Sequence, residues 1–301
     1  MSDGSDPLEG LADIAWVDLE ACFGRAASFP DVLQAVASGD EEAVWELCGQ
    51  VHHQGTVYPA SVAAVPFIAR IAAAGTSHNT AHLVCVLGFI AERDDQWDGD
   101  LQHQAQHAVA AQASVLIPLL RADDPDVRMW TAWTLAQGRP GGLVVPAMRA
   151  RWDDEPDPSV RALLVRAMSL VDPVQAVPLA ERVAAGTSAH AAERLVAAWA
   201  CVAGGVPWTA SLIEAATAWL FDGLDLRDGW WCGADPFEGL LLGLAGRGDL
   251  DAAADLAIAA LTSVRPNGRW AAGKLVKSYP ALDPERAAVL ARLLLWPGEG
   301  P

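Results

Sequence analysis

The chain has few positive charges, and this shortage excludes the usual ways of binding nucleic acids and anionic membranes. Lysine and arginine total 20 against 38 aspartates and glutamates, and Lys274 and Lys277 are the lysines of the chain. A formal net charge of −18 leaves no basic face for a phosphate backbone or an anionic lipid surface. We therefore expect neither nucleic acid nor a membrane among its partners.

Cysteines and long apolar runs are also scarce. The five cysteines are scattered through the chain without a CxxC spacing, which argues against a disulfide framework and for reduced thiols. Met1–Gly10 lacks the basic and apolar regions of a secretory signal. No uninterrupted apolar run reaches the roughly 18 residues that a membrane-spanning helix needs. We expect a cytoplasmic protein without cofactors.

Strand-forming patterns are nearly absent, and the chain contains only 2 tyrosines. Alanine- and leucine-rich segments are instead interrupted at intervals of about 10 to 20 residues by Gly, Pro or Asp-Pro, which is typical of short helices. Short helices joined by short turns predict an all-α protein.

An internal repeat indicates how these helices are organised. The segment DPDVR at 124–128 returns as DPSVR at 157–161, an offset of 33 residues. In each copy Asp is suited to cap a helix, Pro to occupy its first position and Val to begin the buried stripe. After Val160 the apolar positions continue at helical spacing, and we expect the arginine to lie on a solvent-facing or inter-repeat edge.

An aliphatic-Pro step marks the other helix of each pair. It occurs at Val65-Pro66, Ile117-Pro118, Val145-Pro146 and Val177-Pro178, with gaps of 52, 28 and 32 residues between prolines. A proline inside a helix bends it, so each pair is predicted to join a bent helix to a straight one. The long first gap indicates an insert. A period near 30 to 45 residues predicts pairs that stack into an α-solenoid.

These Asp-Pro-x-Val-Arg starts and internal prolines resemble the HEAT family of α-helical repeats. The stretch HHQGTVYPAS at 52–61, followed by AVPF at 64–67, is similar to actinobacterial HEAT-repeat proteins, as is the segment 16–24. The resemblance covers residues 16–201 and weakens from Val206. It implies about seven stacked antiparallel helix pairs and a concave surface that binds a partner. A minority of HEAT-like proteins are enzymes, including lyases and base-excision glycosylases.

The expected layout is a single domain. A flexible segment at 1–15 precedes a HEAT-like solenoid at 16–296, which is interrupted by inserts at about 93–111 and 221–235. Most tryptophans, including Trp16, Trp45 and Trp199, are predicted to pack in the core or between repeats.

A first candidate site lies between two helices, where His53, Gln54 and Tyr58 could converge on one edge of the solenoid. Imidazole, amide and phenol groups there could bind a ligand or transfer a proton. The alternative, which we favour, is that they tie an inter-helix loop to its neighbours by structural hydrogen bonds.

A second candidate site lies in the inserts. Trp97, Trp230 and Trp231 stand among carboxylates such as Asp235, a combination suited to a cationic or aromatic ligand. In the alternative reading, each insert folds back and its tryptophans fill gaps. Trp130 and Trp133 share one helix three residues apart and are further candidates for ligand contact.

Metal binding is not expected. His78 and His82, like His103 and His107, have the four-residue spacing of zinc ligands. The two pairs would however lie about 15 Å apart on antiparallel helices, and no HExxH motif occurs. The sequence also lacks the motifs of common hydrolases, kinases and dinucleotide enzymes, so it leaves catalysis undecided.

Two functions remain open. The first is a cytosolic binding or scaffold protein, whose acidic, Trp-containing concave groove holds a basic peptide, a protein or a small cationic molecule. The second is an enzyme or ligand-sequestering resistance protein on the same scaffold, with its groove closed by the inserts. A nucleic-acid enzyme is the least favoured reading, because it needs a basic groove.

Overall fold

The computed structural model describes residues 6–53, 56–75, 79–92, 99–138, 142–187, 189–222, 235–263 and 269–295. Within these residues the chain is all-α, as the sequence predicts. Its strands form two short antiparallel hairpins, which are β1 (Glu20–Ala21) with β2 (Gly24–Arg25) and β3 (His52–His53) with β4 (Thr56–Val57). None of the described helices combines the length and the apolar character needed to span a membrane.

The chain falls into two compact units, Met1–Glu155 and Pro156–Pro301, here called unit 1 and unit 2. The helices of unit 1 are α1 (Phe29–Ala37), α2 (Glu41–Val51), α3 (Pro59–Ala74), α4 (Thr80–Ala91), α5 (Asp100–Ala111), α6 (Ala113–Leu116), α7 (Pro125–Gly138) and α8 (Val144–Asp154). Those of unit 2 are α9 (Pro158–Val171), α10 (Pro173–Ala185), α11 (Ala191–Ala203), α12 (Ala210–Asp222), α13 (Pro236–Gly246), α14 (Leu250–Leu261), α15 (Arg269–Ser278) and α16 (Pro284–Leu295).

Each unit is built around one central helix. In unit 1, α4 is apolar on most of its circumference and packs against α2, α3, α5 and α7. In unit 2, α11 is buried along almost its whole length among α9, α10, α12 and α13. These contacts are consistent with stacked helix pairs, while the HEAT repeat itself and the single-domain layout stay predictions.

The Asp-Pro starts form the caps that the sequence predicts. The Asp157 carboxylate accepts hydrogen bonds from the backbone N–H groups of Ser159 and Val160 at 2.9 and 3.2 Å. Pro158 occupies the first turn, where its missing N–H leaves no backbone acceptor unpaired, and Val160 is fully buried.

The arginines of this motif follow the second of the two predicted alternatives, because they pair with carboxylates further along the chain instead of facing solvent. Arg128 is only 6% exposed and donates two hydrogen bonds, of 2.8 and 2.7 Å, to the buried Glu155 carboxylate. Arg161 bonds Glu193 at 3.0 Å. A third arginine, Arg194, lies another 33 residues along the chain and bonds Glu214 at 3.2 Å. The arginine thus ties its helix to a carboxylate further along the chain.

Two of the four prolines lie inside helices, as the sequence predicts. Pro66 and Pro178 lie inside α3 and α10. Pro118 instead lies in a 3-10 segment, Ile117–Arg121, and Pro146 lies in the first turn of α8. The prediction of mid-helix prolines is therefore wrong at these two positions. Proline fits both without a kink, because N–H groups in a first turn have no helical partner.

The two predicted inserts differ in what the structure describes of them. Residues 93–98 lie outside the described ranges, but residues 100–111 of the first insert form helix α5, which packs against α3, α4 and α7. Most of the second insert also lies outside the described residues.

Candidate functional site

Two helices of unit 1 present matching side chains. Trp45 and Cys48 of α2, with His52 directly after it, follow one another at helical spacings of three and four residues. His82, Cys85 and Phe89 repeat that spacing on α4, each 37 residues further along. Positions spaced in this way lie on one side of a helix, so the two sets form facing rows.

The facing rows make two ring contacts in register. The Trp45 ring meets the His82 ring edge-on at 4.8 Å, and the His52 ring stacks on Phe89 at 5.2 Å with 21° between the planes. Cys48 and Cys85 occupy the positions between these two contacts on their helices.

Helix α7 extends the rows with Trp130 and Trp133. The two indoles meet edge-on at 5.4 Å, and Phe89 lies 6.4 Å from Trp130 and 5.0 Å from Trp133. Trp130, Phe89 and His52 are half-buried, whereas Trp133 is 1% exposed and lies beneath them. We define the ladder face as the set of residues Trp45, Cys48, His52, His82, Cys85, Phe89 and Trp130.

Trp133 supports the ladder face from below. Gly88 of α4 leaves the space for its ring, because a Cβ at that position would overlap the indole. The Thr134 hydroxyl donates a 2.7 Å hydrogen bond to the Val84 carbonyl and fixes α7 against α4. The Trp133 Nε1 group is buried without a hydrogen-bond partner among the described residues.

Trp45 contradicts the prediction that it is a core residue, since 61% of its surface is exposed. The buried stripe of α2 consists of Val44, Leu47 and Val51. Trp45 is one position beyond Val44, about 100° around the helix, and therefore lies on the flank. The prediction for Trp16 and Trp199 is confirmed, because both are buried.

The thiols of the ladder face are not activated. Burial raises the pKa of Cys48 to about 11. Burial, helped by the charges of Cys48 and Glu92, raises the pKa of Cys85 to about 12. Both groups are protonated at neutral pH and behave as weakly polar surface rather than as nucleophiles.

Acidic side chains border the ladder face. Glu41 and Glu42, exposed on the first turn of α2, precede Trp45 by four and three residues and so lie on its side of the helix. Glu46 is also exposed on the same helix. The face therefore combines half-exposed rings with carboxylates, and its seven residues include no lysine or arginine.

One cavity of unit 1 is separate from the ladder face. It has a volume of about 680 Å³ and is lined by residues between Asp6 and Val17 together with Ala27, Pro30 and Gln34. Ladder-face residues do not line it, so this cavity plays no part in the candidate site.

Of the predicted loop residues, Tyr58 and Asp235 have structural roles. Tyr58 precedes α3, and its backbone N–H donates a 3.1 Å hydrogen bond to Ser61 Oγ, which in turn donates to the Val51 carbonyl. Burial and a hydrogen bond with Cys22 raise the pKa of Tyr58. The Asp235 carboxylate caps α13 by accepting hydrogen bonds from the N–H groups of residues 237 and 238.

The other predicted site residues are not brought together by the described structure. His53 pairs through its backbone with Thr56 in the hairpin of β3 and β4. Gln54, Trp97, Trp230 and Trp231 lie outside the described residues, so ligand contact by them stays a prediction. Within the described ranges, no group of three or more His, Cys, Asp or Glu residues could hold a metal ion.

The sequence pattern pointed to Trp130 and Trp133 but not to the ladder face as a whole. The signal was present: W45, C48 and H52 return after 37 residues as H82, C85 and F89. It consists of a repeated spacing rather than a repeated motif, because only the cysteine recurs and the residue types at the other two positions differ.

Comparison with known proteins adds no relative. The chain matches no protein-family model, and searches of curated proteins and of solved structures found no match. The resemblance to HEAT repeats therefore stays a prediction from the sequence, and the functional argument rests on the geometry of unit 1.

Proposed function

We propose that this protein is a binding protein of HEAT-like type, and that its ladder face holds a cationic side chain of a basic peptide or protein. One observation carries the proposal: half-exposed aromatic rings lie in a row beside exposed carboxylates on α2. The proposal retains the basic partner expected from the sequence and assigns it to unit 1.

The chemistry of the ladder face suits a lysine or arginine side chain. A cation over an aromatic ring gains about 0.5 to 2 kcal/mol, depending on how far it is desolvated. Trp45 and Trp130 offer indole rings, for which this attraction is largest, and Glu41 and Glu42 add charge attraction beside Trp45. The net charge of −18 would also accelerate the encounter with a basic partner at low salt.

Binding is a better account of this face than catalysis. Its thiols are held protonated, so they are not nucleophiles at neutral pH, and its imidazole rings lie against the rings of Trp45 and Phe89. The alternative of an enzyme or sequestering protein rests on insert residues outside the described ranges. A cytoplasmic location belongs to the same proposal.

A peptide titration tests the proposal. A fluorescein-labelled peptide of alternating Arg and Gly is expected to bind the wild-type chain, and a matched Glu-Gly peptide is not. Trp45→Ala should weaken binding about two- to fivefold, the loss expected for one cation–π contact at an exposed site. Phe23→Ala is the matched control, because Phe23 is an aromatic residue of unit 1 that is 76% exposed and lies outside the ladder face.

The outcomes separate the ladder face from general acidity. Glu42→Gln removes one negative charge near Trp45 and should weaken peptide binding less than Trp45→Ala does. Equal binding by the wild type, Trp45→Ala and Phe23→Ala would show that the net charge alone attracts the peptide, and would refute the ladder face as the site.

A further inference from the structure

Arg166 differs from the neighbouring arginines of unit 2 in having no carboxylate partner among the described residues. Arg161 pairs with Glu193 and Arg194 pairs with Glu214. The Arg166 guanidinium instead lies on the Trp199 ring, with its Cζ atom 3.5 Å from the ring centroid. Its nearest polar contact is between Nη1 and Ser169 Oγ, at 3.5 Å. A positive charge is thus held on α9 without a compensating negative one.

The surroundings of Arg166 are dry. Its Nε atom is buried and has no hydrogen-bond partner in the part of the chain that the structure describes. Removal from water lowers the pKa of Arg166 to about 9, and no neighbouring carboxylate opposes this shift. An anion that reached the guanidinium would therefore meet a strong and poorly screened attraction.

The Trp199 ring is a fixed platform for the guanidinium. It is buried, and its edge fits against Gly239 of α13, where a Cβ would overlap the indole. The Ser169 hydroxyl donates a 2.7 Å hydrogen bond to the Arg166 carbonyl, so it is already engaged with the backbone of α9. The contacts with Trp199 and Ser169 therefore restrict the conformations of the Arg166 side chain.

The geometry limits what could pair with Arg166. One face of the guanidinium is covered by Trp199, the Nε side is buried and Nη1 contacts Ser169, so an incoming group would have to bind along the Nη1 and Nη2 edge. Two parallel N–H groups on such an edge match the two oxygens of a carboxylate. A single guanidinium on a chain of net charge −18 is poorly suited to a doubly charged phosphate.

We infer that Arg166, held on Trp199, is a binding site for one carboxylate group of a partner, either an acidic side chain or a chain terminus. The site is independent of the ladder face: it lies in unit 2, and it takes the opposite charge. A partner with both basic and acidic groups would have a place for each, but neither site requires the other.

Nuclear magnetic resonance of the arginine Nε–Hε groups tests this inference on the whole chain. Sodium acetate is expected to shift the Arg166 resonance saturably, with a dissociation constant in the millimolar range. Arg286 is the internal control, because Asp255 already holds its guanidinium through bonds of 2.7 and 3.1 Å. Equal shifts with sodium chloride at matched ionic strength would overturn the inference. Saturation by phosphate but not by acetate would overturn the carboxylate assignment.

Two variants distinguish a binding role from a merely structural one. Because the variants lack the Arg166 resonance, acetate binding is followed in them and in the wild type through the indole Nε1–H resonance of Trp199, on which the guanidinium lies. Arg166→Lys keeps the charge but loses the two-pronged edge, and should weaken acetate binding at least tenfold. Arg166→Met removes the charge and should abolish binding. Either variant binding acetate as tightly as the wild type would refute the site. If Arg166→Met fails to fold, the Lys variant and the wild-type titration still decide.

Two short peptides identify the source of the carboxylate. An acetylated tri-alanine peptide carries a free chain terminus, whereas an acetylated and amidated Ala-Glu-Ala peptide carries only a side-chain carboxylate. Saturable shifts of Arg166 by either peptide support the site and name the source. Failure of both peptides to shift the resonance would contradict recognition of a protein partner.

Discussion

Unit 1 and unit 2 carry different side chains at one equivalent position of their helices. Trp133 of α7 lies five residues after the paired Arg128. Arg166 of α9 lies five residues after the paired Arg161, so the offset between the two positions is again 33 residues. An apolar ring at this position supports the aromatic rows of unit 1, whereas in unit 2 the position holds a guanidinium that has no carboxylate partner among the described residues.

The ion pairs of the preceding arginines and the packing of a tryptophan on a glycine recur around this position, and we call them the frame. Trp199 of α11 occupies the next equivalent position, and like Trp133 it packs on a glycine of a neighbouring helix. Paired arginines precede all three positions. The comparison teaches that the helix caps and ion pairs fix the geometry, while the residue five positions later decides which ligand chemistry each unit offers.

The largest expected effect concerns the frame of unit 1. Glu155→Ala removes the buried carboxylate that pairs with both Arg128 and Arg151. We expect a loss of about 3 to 5 kcal/mol in the free energy of unfolding, as is usual when one partner of a buried pair is removed. Urea denaturation measures it. Glu214→Ala in unit 2 is the control: its side chain is 69% exposed, so about 1 kcal/mol or less is expected. Equal losses would contradict a buried frame.

The second prediction concerns the space beneath the ladder face. Gly88→Ala forces a methyl group into the Trp133 ring, so we expect a loss of about 1 to 3 kcal/mol. Gly49→Ala on α2 is the matched control, because a Cβ there meets no atom of the described residues within 4 Å. It should gain roughly 0.5 to 1 kcal/mol from helix propensity. A neutral Gly88→Ala variant would show that Trp133 is not tightly held.

The third prediction is a pH dependence that differs between the units. Burial raises the pKa of Cys48 and Cys85 in unit 1, and of Cys201 in unit 2, to between about 11 and 12. The folded chain then holds these protons while the unfolded chain releases them near pH 9. Stability should be complete below pH 9 and fall as the pH rises from 9 towards 12, by about 1 kcal/mol for each thiol at pH 10.

Serine variants assign this loss to the two units. The double variant Cys48→Ser and Cys85→Ser should remove a larger part of the difference in unfolding free energy between pH 8 and pH 10 than Cys201→Ser does. Identical pH dependence in all variants would show that other groups cause the loss.

The smallest effect is expected for Arg166→Met. Replacing an unpaired, desolvated guanidinium by an apolar chain of similar length relieves the charge but loses the cation–π contact with Trp199. We expect the unfolding free energy to change by no more than about 1 kcal/mol. A loss of about 3 kcal/mol in the free energy of unfolding would show that Arg166 stabilises the fold. Its role would then resemble that of the paired Arg128 in unit 1.

Much of the local structure could be predicted because its causes lie within a few residues. The Asp157 cap, the first-turn Pro158 and the buried Val160 all follow from hydrogen bonds and spacings inside one helix. The neighbouring helices decided what the sequence left open or predicted wrongly. Trp45 is exposed because of the flank of α2 that it occupies, and the choice between the two places predicted for the arginine was made, at Arg128, by a carboxylate 27 residues away.

The candidate site was predictable only in part for the same reason. Trp130 and Trp133 were identified from their spacing on one helix. His52 and Phe89 became significant only when α2 and α4 were seen side by side, because their ring stack joins residues 37 positions apart.

The sequence by itself determined the all-α class, the helix starts and the acidic balance that favours a basic partner. These follow from composition and from interactions between near neighbours in the chain. Only the tertiary structure decided which polar groups are left unsatisfied, such as the Arg166 guanidinium, and which rings face water. That outcome depends on which side chain of a distant helix lies opposite each group. The spacing of residues along a single helix does not determine this.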